Sequence, residues 1–331
     1  MKALVTGGGG FLGKAIVKLL RQQGAEVRSF SRSEYRELAA LGVEHYQGEL
    51  ADADAVQRAA HGCDIVFHVA AKAGVWGPYD DFYQANVTGT RNVIEACRVS
   101  GIRKLVFTSS PSVVFNGRDM EGVDESVPYP DHFEAFYPQT KAEAEQLVLA
   151  ANDTELATVA LRPHLIWGPE DNHLVPRILE RGRKRMLRRI GRRPCLVDTI
   201  YIDNAALAHL QAAEHLEIGS TVAGKAYFLA QGEPQPVWDV VDRILAAGGL
   251  PAVSGTIPAG LAYAIGGLLE KIYTLLKLAG EPRMTRFVAR ELSTAHWFDL
   301  GAARRDFGYQ PQITFEEGMR RLDAWLQQQS A

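Results

Sequence analysis

Cysteine is scarce in this chain. Cys63, Cys97 and Cys195 are odd in number and far apart, without the spacing of a metal-binding motif. That pattern excludes a disulfide framework and fits a reducing compartment, so a cytoplasmic location is expected. A strong charge excess is also missing: the formal net charge is −3, which argues against general nucleic-acid binding. No stretch of 18 uncharged apolar residues follows Pro258. Glu270, Lys271 and Lys277 interrupt the richest apolar segment, residues 257–280. The sequence therefore predicts no transmembrane span. It predicts one or two amphipathic helices there, packed inside a lobe or else presenting a surface to lipid or acyl chains, so peripheral membrane contact stays open. The opening "MKALVTGGGG" breaks into glycines after four apolar or small residues. It is too short for a signal peptide and reads as a first strand. Internal repeats, long linkers and low-complexity tracts are absent as well.

What remains is a sequence of 331 residues, 47% of them hydrophobic, enough for a large core. Its first half alternates strand-like runs with helical patterns. "KALVT" (2–6), "EVRSF" (26–30), "VEHYQ" (43–47), "DIVFHVA" (64–70), "KLVFTSS" (104–110) and "LATVALR" (156–162) read as strands. Their near-continuous apolar character suits burial on both faces. The expectation is an α/β fold: a Rossmann-type doubly wound parallel sheet with a smaller, mainly helical C-terminal substrate lobe. Residues 1–165 would bind a dinucleotide, with 197–230 returning to that domain. Residues 166–196 and 231–331 would form the lobe. "KAYFLA" (225–230) is a further strand. "PVWDVVDRILAAGG" is a helix, and "ITFEEGMRRLDAWLQQQ" closes the chain as another.

"TGGGGFLG" follows the first strand and opens the first helix. Its frame is Gly7-x-x-Gly10-x-x-Gly13. Glycines allow positive φ and a close approach of backbone N–H groups, including those of Phe11 and Leu12, to a pyrophosphate at a helix N-terminus. The second strand ends in Ser31 and Arg32, where an acidic residue would hold a ribose 2′-hydroxyl. A guanidinium suits a 2′-phosphate, so NADP(H) is preferred and NAD(H) remains open. Glu49 and Leu50 are placed to cradle the adenine.

"FYPQTKAEAEQLV" (136–148) places Tyr137 and Lys141 one helical turn apart. Pro138 fits the first turn and pushes Tyr137 toward the cap. A nearby ammonium would lower the phenol's pKa, and Tyr137 could then exchange a proton with a carbinol or ketone oxygen. "TSSPS" (108–112) ends the fifth strand at the ligand crevice. Ser110 is the first candidate for a hydrogen-bond donor to substrate, and Ser109 the second. Asn86 could bind a backbone carbonyl or a water near Lys141. The histidines, including His68, His164 and His173, show no metal spacing, so no metal is expected.

Together "TGGGGFLG", "VFHVAA", "NVTGTRNV", "TSS", "YPQTK" and "LRPHLIWGP" resemble the extended short-chain dehydrogenase/reductase superfamily over the whole chain. The resemblance implies a Ser-Tyr-Lys site on Ser110, Tyr137 and Lys141, with Asn86 as the fourth-helix asparagine. It also implies cofactor contacts at the glycine loop, Ala70, Lys72 and Pro163. The distal half, through "YIDNAALAHLQAA" and "FDLGAARRDFGYQPQITFEEGMRRLDAW", is most similar to the 3β-hydroxysteroid and sterol-4-carboxylate 3-dehydrogenase group. It is also similar to the bacterial 2-alkyl-3-oxoalkanoate reductases of olefin biosynthesis. The implied activity is NADPH-dependent reduction of a long-chain 2-alkyl-3-oxoalkanoate to the 3-hydroxy acid. Competing readings are a hydroxysteroid dehydrogenase, a nucleotide-sugar epimerase and a non-catalytic NADP-sensing module.

Residues 177–193 hold nine basic residues and one acid. They are a solvated face or an anchor for a carboxylate, a phosphate, an acidic partner or anionic lipid. The expected partners are an apolar substrate bearing a carboxylate, a second copy in a homodimer, and enzymes of the same pathway.

Overall fold

A computed structural model describes residues 1–330 of the chain. Seven parallel strands form the central sheet, in the spatial order Lys225–Leu229, Ala157–Pro163, Lys104–Thr108, Ile65–His68, Lys2–Thr6, Glu26–Ser31 and Glu44–Gln47. Side chains alternate across each strand. In Lys2–Thr6, Ala3 and Val5 join one core while Leu4 joins the other. Both faces are therefore dry, and helices cover each. Phe11–Gln22 and Ile202–His215 pack together on one side. Ala53–Ala60, Gly89–Val99 and Phe136–Ala150 cover the other.

The chain order reverses beside Lys2–Thr6, which pairs with both Glu26–Ser31 and Ile65–His68. In an open α/β sheet the strands' carboxyl ends part at such a reversal and leave a crevice for a ligand. The glycine loop, Ala70 and the end of the fifth strand all border it.

The helix carrying Tyr137 begins one residue earlier than the sequence suggested. Ala135 is the extended N-cap, so Tyr137 already lies in the first turn, and Pro138 is its third residue. Pro138 still costs no hydrogen bond, because the first four N–H groups of a helix have no intrahelical acceptor. The bias that proline imposes on its predecessor yields to packing here.

Helices Leu174–Arg183, Val237–Ala247, Ala259–Leu275 and Arg286–Glu291 build most of the lobe. A small sheet, ordered Gln235–Pro236, Leu196–Val197, His296–Phe298 and Met120–Val123, stands beneath them. Its last strand comes from the first half of the chain, so the two parts interlock. Segment 257–280 forms a single helix, Ala259–Leu275, and only a narrow stripe of it is packed. Ala262, Gly266 and Glu270 face inward. A Cβ at Gly266 would lie 2.6 Å from the Thr285 carbonyl carbon, and Glu270 accepts two hydrogen bonds from Arg286, each 2.7 Å. Leu261, Ile265, Leu268 and Leu275 point outward, Leu275 with 80% of its surface exposed. Among the described residues no helix is long and apolar enough to cross a membrane.

Candidate active site

The glycine loop is a cradle that side chains would fill. Gly7 has φ +71°, and a Cβ there would stand 3.0 Å from the backbone of Ala70. A Cβ on Gly13 would come within 2.1 Å of the Gly7 carbonyl oxygen. No side chain caps the helix that Gly10 begins, so the N–H groups of Phe11, Leu12 and Gly13 are left for an anion. These features fit a dinucleotide pyrophosphate. At the edge of the crevice the Ser31 hydroxyl donates to the Ser33 carbonyl at 2.9 Å. Arg32 is exposed, and its guanidinium has no partner among the described residues. Glu49 is exposed and Leu50 half-buried, with the Leu50 carbonyl accepting from Asn92 at 2.8 Å.

A hydrogen-bond chain beneath the loop has directions fixed by its members. Thr90 donates to the Asn86 carbonyl at 2.6 Å, so it can only accept from His68 Nε2, 2.9 Å away. His68 Nδ1 is then an acceptor for Thr6, at 2.8 Å. The Thr6 oxygen keeps its lone pairs for the amides of Val69 and Ala70, at 3.1 and 3.2 Å. Burial, reinforced by Lys141, holds the His68 pKa down at about 3. The neutral ring therefore serves to fix the Ala70 turn.

Asn86 lies in a π-helical segment, Tyr83–Thr88, a distortion often found at functional sites. Its carboxamide accepts from the Lys72 amide at 2.7 Å and donates to the Lys72 carbonyl at 3.1 Å. It also donates to Thr140 at 3.0 Å, tying that turn to the Tyr137 helix. Lys72 itself pairs with Asp81 at 2.6 Å.

Lys141 is buried, and its ammonium donates to the Thr108 carbonyl at 2.6 Å. It stands 4.0 Å from the Phe107 ring centroid. Burial draws its pKa down to about 7, with Glu145 opposing. Tyr137 differs from the sequence-based expectation. Burial raises its pKa, and the Ser110 hydroxyl pulls the other way. At neutral pH Tyr137 is thus a protonated phenol. Ser110 caps the short helix Pro111–Val114, and its hydroxyl lies 2.9 Å from that of Ser112. Ser109, the second candidate, is buried with its hydroxyl unpartnered.

Tyr137, Ser110 and Pro163 line one cavity of about 560 Å³ that runs into the lobe. Phe115, Met120, Leu174, Phe287 and Phe298 give it apolar walls. Arg177 and Glu281, an ion pair, sit on its rim, together with Asn172 and His173. Sequence reading placed Arg177 in a basic run without separating it from its neighbours. Three others in that run are also paired: Lys184 with Glu180, Arg189 with Asp242 and Arg193 with Asp119, each at 2.5 Å. The cavity also holds His164, Glu291 and His296, which sequence spacing could not connect.

Known proteins extend this picture. The 3-beta hydroxysteroid dehydrogenase/isomerase family model matches residues 4–257. The 2-alkyl-3-oxoalkanoate reductase of Stenotrophomonas maltophilia is 55% identical over 326 residues, covering 98% of this chain and 99% of that protein. The mouse sterol-4-alpha-carboxylate 3-dehydrogenase, decarboxylating, is 34% identical over 325 residues, 97% of this chain and 89% of that one. Among solved structures, a Thermus thermophilus UDP-glucose 4-epimerase in complex with NAD aligns over 99% of both chains, with 25% identity and a TM-score of 0.75. The glycine cradle, the Tyr137–Lys141 helix and these matches agree: the chain belongs to the 3-beta hydroxysteroid dehydrogenase/isomerase family of NAD(P)-dependent oxidoreductases acting on CH–OH groups.

Proposed function

We propose that this enzyme reduces the ketone of a 2-alkyl-3-oxoalkanoate to the 3-hydroxy acid, with NADPH as the preferred cofactor. One observation carries the reading. Tyr137 and Ser110 open onto the same mixed cavity as Arg177, so a proton donor and a carboxylate anchor border one apolar space. The 55% identical relative, named for that reaction, supports it.

A reduced nicotinamide, when bound, supplies hydride to the ketone carbon. The chain does the rest. Ser110 steadies the ketone oxygen, and Tyr137, protonated because burial raises its pKa, gives that oxygen its proton. Lys141 would hold the nicotinamide ribose, and Asn86 fixes the turn at Lys72 that faces it. Arg177 would exchange Glu281 for the substrate carboxylate, a charge-assisted pair of planar partners. Arg32, free of protein acids, would take the 2′-phosphate. A hydroxysteroid or a nucleotide sugar fits less well. The first needs no charged rim, and the second would normally meet an acidic residue where Ser31 stands.

The test is a comparison of NADPH and NADH turnover on a long-chain 2-alkyl-3-oxo acid, a 3β-hydroxysteroid and a UDP-sugar. The oxo acid with NADPH should give the highest kcat/KM. Tyr137→Phe should lower kcat by about 10²–10⁴-fold while NADPH binding, read by fluorescence titration, is retained. Faster turnover of either other substrate, or a fully active Tyr137→Phe enzyme, overturns the proposal.

A further inference from the structure

Three ligand atoms, one each from His164, Glu291 and His296, lie within 4.8 Å of one another in the wall of the cavity. They come from three separate places: the residue after the sixth strand of the sheet, the end of helix Arg286–Glu291, and the start of strand His296–Phe298. What distinguishes the group is the state its outer partners impose.

His164 Nδ1 bonds the Asp198 carbonyl. A carbonyl can only accept, so Nδ1 carries the proton and Nε2 a bare lone pair. The Thr294 hydroxyl donates to the Arg290 carbonyl at 2.8 Å, so towards His296 Nε2, 3.2 Å away, it acts as acceptor. His296 Nε2 therefore carries the proton and Nδ1 the lone pair. That Nδ1 is buried and unpartnered, in a side chain only 4% exposed. Burial lowers the His296 pKa to about 4, and the Glu291 backbone carbonyl beside the ring opposes it from outside hydrogen-bond geometry for Nδ1. No donor reaches the Glu291 carboxylate among the described residues. Two bare imidazole nitrogens and a carboxyl thus converge with no donor between them except the carboxyl's own proton, which burial favours by raising the Glu291 pKa to about 7; a bound cation could take that proton's place.

We propose that His164, His296 and Glu291 bind one divalent transition-metal ion, zinc or a metal with similar preferences, inside the substrate cavity. Two imidazoles and a carboxylate are a ligand set for such ions. Each ring is already oriented from its far side by a backbone carbonyl or hydroxyl, as metal-bound histidines commonly are. Ligand atoms around a tetrahedral ion stand ~3.3 Å apart, so small side-chain rotations would close the group. Three protein ligands leave a position open, in a cavity that Tyr137 and Ser110 also line. The ion would add positive charge where an anionic substrate enters. The inference stands independently of the proposed substrate.

The experiment uses the full-length, tag-free chain stripped with chelator and then titrated with Co²⁺ and Zn²⁺. Calorimetry should give one equivalent per chain, and Co²⁺ should show a visible ligand-field spectrum that Zn²⁺ abolishes. His164→Ala, His296→Ala and Glu291→Gln should each weaken binding by at least tenfold, and His173→Ala, on the same cavity, should not. Circular dichroism of each variant establishes folding, and Glu291→Gln serves as the mildest change should an alanine variant unfold. Absence of saturable binding overturns the proposal, and a proton shared between Glu291 and a histidine then accounts for the group. Binding that survives all three substitutions overturns it equally, as an adventitious ion elsewhere.

Discussion

Lys141 Nζ donates to the carbonyl oxygen of Thr108 across 2.6 Å, joining the helix that bears Tyr137 to the carboxyl end of the fifth strand. The ammonium is held by the sheet's own backbone, with the Phe107 ring 4.0 Å away. Burial pulls its pKa from 10.5 to about 7, more strongly than Glu145 pushes it back. Between about pH 7 and 10.5 the unfolded chain keeps a proton that the folded chain gives up. Stability of the cofactor-free protein therefore rises with pH through that window on account of this group, and it is lowest below pH 7, where both states are charged. Lys141→Met should flatten the curve. Thermal melts from pH 6.5 to 10 measure it, with an expected difference of about a few °C across the range. Parallel curves for the two proteins would refute the claim.

The same helix carries a second buried charge, and here the pairing is complete on one side. Glu145 accepts from Arg162 Nε at 3.0 Å, from Arg162 Nη2 at 2.6 Å and from the Tyr129 hydroxyl at 2.7 Å. Glu145 is wholly buried and Arg162 is 3% exposed. Arg162 also packs on the Phe228 ring, 5.1 Å from its centroid. Removing one partner leaves the other charged in a dry core, so Glu145→Ala should destabilise by about 3–5 kcal/mol. Chemical denaturation at pH 7 checks this. The double variant Glu145→Leu with Arg162→Met should recover most of the loss, because the cost lies in the unpaired charge.

Much of the fold was legible because its elements are set by local patterns. Every strand of the central sheet coincides to within two residues with an apolar run, and Gly7, Gly10 and Gly13 announce their turn by spacing alone. Tyr137, Lys141, Ser110 and Asn86 could be named for the same reason: each sits in a short motif at the end of a strand or the start of a helix. The group at His164, Glu291 and His296 could not. His164 lies more than a hundred residues from Glu291 and His296, and the three meet because the strand His296–Phe298 pairs with Met120–Val123 and so carries His296 to the cavity wall. Periodicity also left open how segment 257–280 packs. Its apolar positions are spread around the helix, and which of them face inward depends on Thr285 and Arg286, whose approach the segment itself does not encode. The direction of the Tyr137 pKa was likewise hidden, since burial is the largest influence on it.

The proposed preference for NADPH rests on Arg32. Ser31, rather than an acidic residue, ends the second strand, with its hydroxyl bound to the Ser33 carbonyl. Arg32 is exposed and unpaired among the described residues, so binding a 2′-phosphate breaks no existing ion pair. A hydrogen bond to a charged group contributes roughly 1.5–3 kcal/mol. Arg32→Ala should accordingly raise the Kd for NADPH by about 10–100-fold and leave that for NADH nearly unchanged. Ser31→Asp should act in the same direction by repelling the phosphate, and should also improve NADH binding by offering an acceptor to the ribose 2′-hydroxyl. Fluorescence titrations of the three proteins with both cofactors decide the matter. Equal losses for NADPH and NADH in Arg32→Ala would mean that the guanidinium senses the adenine or the pyrophosphate rather than the 2′ position.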